Sequence, residues 1–396
     1  MNDSLFDASR HVQRDGHRLQ LPFDPKQVIN NLRCESYFTS GSRMLETAWI
    51  RDIYYRLRPL MPVSFRKHLQ GIFLRDWQKI AFPGWPVDRS VDILHEKLLL
   101  LSMKAAQIER LPFIWFWPEG KSACAIMTHD VETTVGRDYC DRTMDLDDEF
   151  GIKASFQIVP EKRYAVPESY LAAIRSRGFE INVQGLDHEG NLFRNRAAFL
   201  ESARKINEYA VRFGAKGFRS PILYRKTDWF QDMIFSYDMS FPNVARLEAQ
   251  RGGCCTVMPY SLPGGMTEIP VTLTEDYSLF HILKDYSTTL WDKQMEMIIA
   301  GHGVINLIIH PDYITTERAQ DLFRVMLEKL SRLRSDENVW VPLPREVDRW
   351  WRQRNEMNLI PDGRGWKVTG AGSERARIAY ACVNDDRLEY EFDTNS

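Results

Sequence analysis

The chain reads as an α/β protein built on a largely parallel sheet, and three observations predict it. Short apolar strand candidates recur at 123–129, 153–159, 179–184, 215–219, 267–272 and 304–310. Amphipathic helix candidates alternate with them at 137–150, 167–177, 194–213, 226–236, 288–300 and 316–333. Carboxylate, arginine and histidine residues follow the strand ends, where α/β folds place their ligands. Strands separated by helices run parallel, so the sheet is either open or closed into a barrel.

The elements can be justified in order. Residues 1–115 are of mixed character and read as a mostly helical extension. Phe65, Leu69, Ile72, Phe73 and Trp77 share one face of a helix pattern over 64–79, with Arg66, Lys67, Arg75 and Lys79 around it. Such a basic amphipathic helix either packs on the core or lies on an anionic membrane surface. Phe82-Pro83-Gly84-Trp85-Pro86 is a connector. The strand–helix alternation then fills 116–350. Pro160 stops the strand Ser155-Phe156-Gln157-Ile158-Val159, Pro167-Glu168 opens the next helix, and Gly178 closes it. Past Trp350-Trp351, residues 351–396 alternate apolar and polar, as in Arg377-Ile378-Ala379-Tyr380-Ala381, and predict a small β-rich appendage.

Bulk properties exclude some functions. At 396 residues the chain has room for about two or three domains. A formal charge of -2 supplies no basic field for nucleic acid. Residues Asn2 to Arg18 contain no apolar signal core. The run Leu98-Leu99-Leu100-Leu101 is flanked by Glu96, Lys97 and Lys104, too short and too charged to span a bilayer. These features lead to the expectation of a cytoplasmic protein. The six cysteines form no C-x-x-C pair and are expected as reduced thiols.

Four segments carry the chemistry. The apolar run Cys124-Ala125-Ile126-Met127 leads into Thr128-His129-Asp130-Val131-Glu132. Downstream come Gln184-Gly185-Leu186-Asp187-His188, Gly217-Phe218-Arg219-Ser220-Pro221 and the strand ending in His310-Pro311. A single histidine at a strand end is usually structural, and an arginine before Ser-Pro usually caps or faces solvent. The ordered set in one α/β unit is more specific. Hydrolysis of an amide needs an activated water, a stabilised oxyanion and an acid for the leaving amine. A divalent metal can supply the first two. Asp130 and Glu132, two residues apart, share a side if the strand continues. Gln184 and His188, four apart, can converge within one turn.

On these segments the chain resembles the polysaccharide deacetylases with the NodB homology domain, of the carbohydrate esterase family 4 type, over roughly 118–345. Thr128-His129-Asp130-Val131-Glu132 is similar to the T-H-D-V-D variant found near bacterial surface-polysaccharide genes. The resemblance implies an irregular (β/α) barrel, with the helical extension and β appendage at its ends. It implies Asp130 as catalytic base, His310 as acid and Arg219 as the residue that positions Asp130. Ser220 and Pro221 would border the substrate. Glu132, His188 and Gln184 would hold a divalent metal, zinc by the family's habit, whose bound water is the nucleophile. The family's intermediate Asp/Trp motif is not clear; Glu268-Ile269-Pro270 falls near its place without a role.

Two of the three inferred ligands depart from the family. Glu132 replaces Asp and keeps the charge. Gln184 replaces His, and a neutral amide oxygen suits zinc poorly beside imidazole. The expectation is removal of an acetyl group from an N-acetylated sugar in surface-polysaccharide biosynthesis, at the inner membrane face if 64–79 binds lipid. The alternatives are a non-catalytic glycan-binding barrel and a metal-independent amidohydrolase acting on a small C–N substrate. Oligomeric state is not legible.

Overall fold

The computed structural model describes residues 11–16, 18–37, 74, 76–363 and 365–392. The chain opens on an antiparallel pair, β1 (Gln13–Asp15) and β2 (Arg18–Gln20), followed by helix α1 (Pro25–Arg33). Asp24 caps α1 by accepting from the Lys26 backbone N–H at 2.9 Å, and Pro25 takes the first turn, where no N–H is needed. The basic helix expected over 64–79 lies outside the described residues, except for Leu74 and 76–79, where Trp77–Lys79 make one 3-10 turn. Helix α2 (Ser90–Ala106) ends with Gln107 in the left-handed conformation, and β3 (Arg110–Ile114) follows.

The barrel runs through β4 (Cys124–Val131), α3 (Thr134–Glu149), β5 (Ala154–Ile158), α4 (Glu168–Ser176), β6 (Glu180–Gln184), α5 (Arg196–Phe213) and β7 (Gly217–Arg219). It continues through β8 (Tyr237–Asp238), β9 (Tyr260–Ser261), β10 (Thr267–Glu268), α6 (Thr289–Ile299), β11 (Val304–Ile309) and α7 (Glu317–Asp336). The eight strands order as β11-β4-β5-β6-β7-β8-β10-β9, parallel except for β9. Every residue of β4, β5, β6 and β11 is buried, as expected for a parallel sheet covered on both faces.

The ring closes through a seam rather than a ladder. The predicted strand 267–272 pairs only over Thr267–Glu268. Beyond it, Leu273 N–H donates to the Asn306 carbonyl at 3.2 Å, and the Thr272 hydroxyl donates to the Val304 carbonyl at 2.7 Å. The barrel is therefore irregular, as the resemblance implies. The helix expected at 226–236 is only a 3-10 segment, Thr227–Asp232. β8 starts five residues later, and the tight turn sets Phe230 among Phe193, Phe218 and Phe241, with ring centroids 5.6, 6.1 and 5.6 Å away.

Helix α8 (Pro344–Glu356) packs Trp350 and Trp351 under the barrel, in a second core with Trp115, Trp117, Val347 and Ala379. The hairpin of β12 (Asn358–Asp362) and β13 (Gly365–Thr369) comes next. β14 (Ile378–Asn384) and β15 (Arg387–Phe392) then take β3 as their third strand, so a strand that precedes the barrel shares one sheet with two that follow it. Apolar residues on alternate positions of β14 and β3 meet across it, which buries Ala379 and Ala381 completely. All six cysteines are free thiols. No helix among the described residues is long and apolar enough to cross a membrane.

Candidate active site

The site sits at the carboxyl ends of β4, β6, β7 and β11. Side chains alternate along β4. His129 turns toward α3, where its Nε2 lies 2.9 Å from Asp147 Oδ2 and its Nδ1 lies 3.2 Å from the Ile309 carbonyl. It is a satisfied structural histidine, 0 % exposed. Thr128 and Asp130 face the other way, toward Arg219 at the end of β7.

Asp130 is buried and held from two sides. Gln184 Nε2 donates to its Oδ2 at 3.0 Å, and Arg219 Nη1 stands 3.4 Å from its Oδ1. Arg219, fully buried, also donates through Nη2 to the Thr128 hydroxyl at 3.1 Å. Burial raises the Asp130 carboxyl above its ordinary range, and the Arg219 charge opposes that rise only in part. A carboxylate of raised basicity is better matched to taking a proton from water near neutral pH.

Glu132 lies one residue past β4. Its Oε1 is 2.8 Å from His188 Nε2 and 3.5 Å from His310 Nε2. Burial disfavours its charge, yet the two imidazoles outweigh burial and hold the carboxyl well below its usual range. Arg163 Nε donates to the Glu132 carbonyl at 2.9 Å, and its N–H donates to Asp312 Oδ2 at 3.2 Å, so the backbone here is fixed. His188 is buried and adopts a left-handed φ of 56°, uncommon for a residue with a Cβ.

His310 ends β11 and is clamped by Asp276. Its Nδ1 lies 2.5 Å from Asp276 Oδ1, and its backbone N–H donates to Asp276 Oδ2 at 2.8 Å. Burial favours the neutral ring, but Asp276 and Glu132 override it and raise His310 well above the ordinary histidine range. The Asp276 contact assigns a proton to Nδ1 and leaves Nε2 pointing at Glu132. The sequence reading missed Asp276. The signal was an acidic pair, Glu275-Asp276, closing the segment Val271-Thr272-Leu273-Thr274. Glu268 in fact lies fully buried inside the sheet.

Ser220 and Pro221 form the turn after β7. The Ser220 N–H donates to Ser240 Oγ at 2.7 Å and its hydroxyl donates to the Tyr224 carbonyl, so both polar groups are bonded within the protein. Pro221 lies so close to Gly185 that a Cβ there would meet the proline ring at 2.3 Å. Gly185 also has φ 56°, so the segment joining Gln184 to His188 needs glycine at this point.

The expected three-ligand metal centre is not assembled. Glu132 and His188 meet, but the third position is a neutral amide, whose Nε2 donates to Asp130 and whose Oε1 has no partner. Among the described residues no three His, Cys, Asp or Glu side chains gather to hold an ion. Of the three residues that the resemblance implies for zinc, Glu132 and His188 are in contact and Gln184 donates to Asp130. An amide in place of an imidazole donates to the Asp130 carboxylate and offers an ion only a neutral oxygen.

No sequence-family profile matches the chain, and neither does any curated protein. Solved structures do match. A Mycobacterium smegmatis structure assigned as a polysaccharide deacetylase superposes with a TM-score of 0.51 at 17% identity, covering 61% of this chain and 94% of that one. The peptidoglycan deacetylase PdaC of Bacillus subtilis aligns at 11% identity over 60% of this chain and 96% of its own, with a TM-score of 0.38. A Bordetella bronchiseptica structure assigned as a polysaccharide deacetylase involved in O-antigen biosynthesis aligns at 20% identity over 59% of this chain and 86% of its own, also at 0.38. The chain has the irregular (β/α) barrel fold of the polysaccharide deacetylases.

Proposed function

We propose that the chain hydrolyses the acetyl amide of an N-acetylated sugar, on the path to a bacterial surface polysaccharide. The observation that carries this reading is the acid–base pair: a buried Asp130 of raised basicity, and a His310 whose proton is held by Asp276. In this reading Asp130 takes the proton of the attacking water and His310 delivers one to the leaving nitrogen. Arg219 keeps Asp130 ionised and oriented. Asp130 Oδ1, Gln184 Oε1 and His188 Nδ1 are buried without hydrogen-bond partners, which supports a polar substrate group seated against them. The sugar class rests on the shared fold and on the motif resemblance.

Acetate release from free, nucleotide-linked and lipid-linked N-acetyl sugars tests the reading, with Asp130→Asn as control. Gln184 favours a second reading, a barrel that binds glycans without turnover. Calorimetric binding of those sugars with no acetate released would select it. The cytoplasmic, membrane-face location belongs to the same proposal. Equal flotation of the protein with neutral and anionic liposomes would remove the part assigned to 64–79.

A further inference from the structure

Asp312 makes contacts that the acid–base reading does not use. It stands two residues past His310, in the turn His310-Pro311-Asp312-Tyr313. The Tyr313 N–H donates to the His310 carbonyl at 2.9 Å and closes that turn, with Pro311 at the second position, where the fixed φ of proline fits. The Tyr313 ring lies 4.9 Å from the His310 ring. His310 and Asp312 therefore belong to one stiff turn. From it the Asp312 carboxylate reaches across to the segment after β4. Its Oδ2 accepts from the Glu132 N–H at 3.2 Å, and its Oδ1 accepts from the Thr133 hydroxyl and from the Gly136 N–H at 3.3 Å. Thr133 in turn caps α3, accepting from the Val135 N–H at 3.2 Å, and a carboxylate beside a helix N-terminus is favoured by the helix dipole. Gly136 leaves room for this arrangement, since a Cβ there would lie 2.1 Å from Asp312 Oδ2. Inside a helix alanine is the better former, so the carboxylate and not the helix accounts for the glycine.

We infer that Asp312 is the positioning residue that sets Glu132 against His310. The inference rests on the hydrolase reading for its functional half only. The ladders of β4 end at His129 on the β11 side and at Val131 on the β5 side, so Glu132 lies beyond the sheet and no strand pairing fixes it. Its backbone is held from two loops instead. Asp312, after β11, takes its N–H, and Arg163, after β5, donates through Nε to its carbonyl at 2.9 Å. Because Asp312 shares a turn with His310, the 3.5 Å between Glu132 Oε1 and His310 Nε2 is spanned by one short link of bonded groups. Without that link the turn after β4 and the turn after β11 shift independently. The acid then loses its place against Glu132 and against Asp130, two residues earlier on the same strand. Asp312 bonds only backbone and a hydroxyl of its own chain here, so it acts through Glu132 and His310 and not on the substrate.

The test has an exchange arm and a kinetic arm. In Asp312→Ala, hydrogen exchange read by mass spectrometry should rise by about tenfold or more in peptides spanning 131–136, the effect of freeing N–H groups from a charged acceptor, while peptides from β5 and β6 keep wild-type rates. In the same variant kcat should fall by about tenfold or more at little-changed KM, the effect of a misplaced reacting group. Asp312→Asn, which keeps one acceptor oxygen, should lose less. Gly136→Ala, which pushes the carboxylate out, should lower kcat on its own and add nothing to Asp312→Ala, because the two changes break one contact. If Asp312→Ala does not fold, Thr133→Val, which removes one donor to the carboxylate, decides by the same readings in smaller measure. Unchanged exchange over 131–136 overturns the inference. So does exchange raised across the whole barrel, an unchanged kcat, a loss carried by KM alone, or additive losses in the double variant. If wild type releases no acetate at all, the exchange arm still decides whether Asp312 holds Glu132, and only the hydrolase reading fails.

Discussion

Gln184 donates its amide to Asp130 across 3.0 Å. A histidine ligand at this position would point its lone pair at an ion; the amide instead gives a hydrogen to Asp130. One substitution thereby changes both the metal chemistry and the environment of Asp130.

Gln184→His should reverse both effects. With Glu132 and His188 already meeting at 2.8 Å, a second imidazole completes a three-donor set. Zinc affinity, read by elemental analysis after dialysis against graded free zinc, should rise by about 10- to 100-fold over wild type, the scale of restoring one well-placed group at a metal site. Equal zinc content in the two proteins would mean that Gln184 does not limit the site.

Asp276→Asn should loosen His310 and lower its affinity for the proton. Asp276 raises the His310 pKa, so without that charge the ring deprotonates at a lower pH. If His310 must be protonated to act as acid, the alkaline limb of the kcat/KM profile moves toward lower pH, and the rate near neutrality falls by about 10²-fold or more. A profile with an unmoved alkaline limb would take the acid role away from His310.

Glu180 gives a stability prediction away from the site. It is 3 % exposed, accepts from the Tyr237 hydroxyl at 2.7 Å, and burial raises its pKa to about 7. A carboxyl raised in the folded state binds its proton more tightly there than in the unfolded chain. Its contribution is therefore complete below the ordinary glutamate pKa and is lost as pH climbs toward 7. Unfolding free energy should fall across that window with a slope of up to about 1.4 kcal/mol per pH unit from this group. Glu180→Gln should flatten that slope in denaturant titrations at several pH values; an identical slope in the variant would refute the assignment.

Glu35 and Arg225 tie the N-terminal segment to the loop after β7. Arg225 Nε donates to Glu35 Oε2 at 2.6 Å and Nη2 donates to Oε1, with side-chain exposures of 0% and 8% for Arg225 and Glu35. Glu35→Ala leaves a buried guanidinium without its counter-charge and should cost about 3–5 kcal/mol. Chemical denaturation measures this directly. A loss below about 1 kcal/mol, the value of a surface pair, would show that the pair is solvated.

The barrel was legible where strands are long and uniformly apolar. Cys124-Ala125-Ile126-Met127 and Leu307-Ile308-Ile309 announce β4 and β11, because a strand buried on both faces has no polar residues to blur it. β8 and β10, two residues each, carry no such periodicity, and 226–236 has the amphipathic pattern of a helix while tertiary packing of Phe230 imposes a tighter turn. In the site, Asp130, Glu132, His188, Arg219 and His310 come together because each lies at or past the carboxyl end of a strand. Asp276 was hidden since it follows the unladdered seam. The partnership of Gln184 with Asp130 was hidden too, because sequence shows which residue replaces histidine and not what the replacement binds. β3 pairing with β14 is a long-range contact that no local pattern reports.

The central claim is that Asp130 is the base of a hydrolytic site. The most direct measurement compares acetate release by wild type and Asp130→Asn on the same N-acetylated sugars. The account predicts turnover by wild type and a loss of about 10²- to 10⁴-fold in the variant, with sugar binding kept. Equal rates in the two proteins would contradict it.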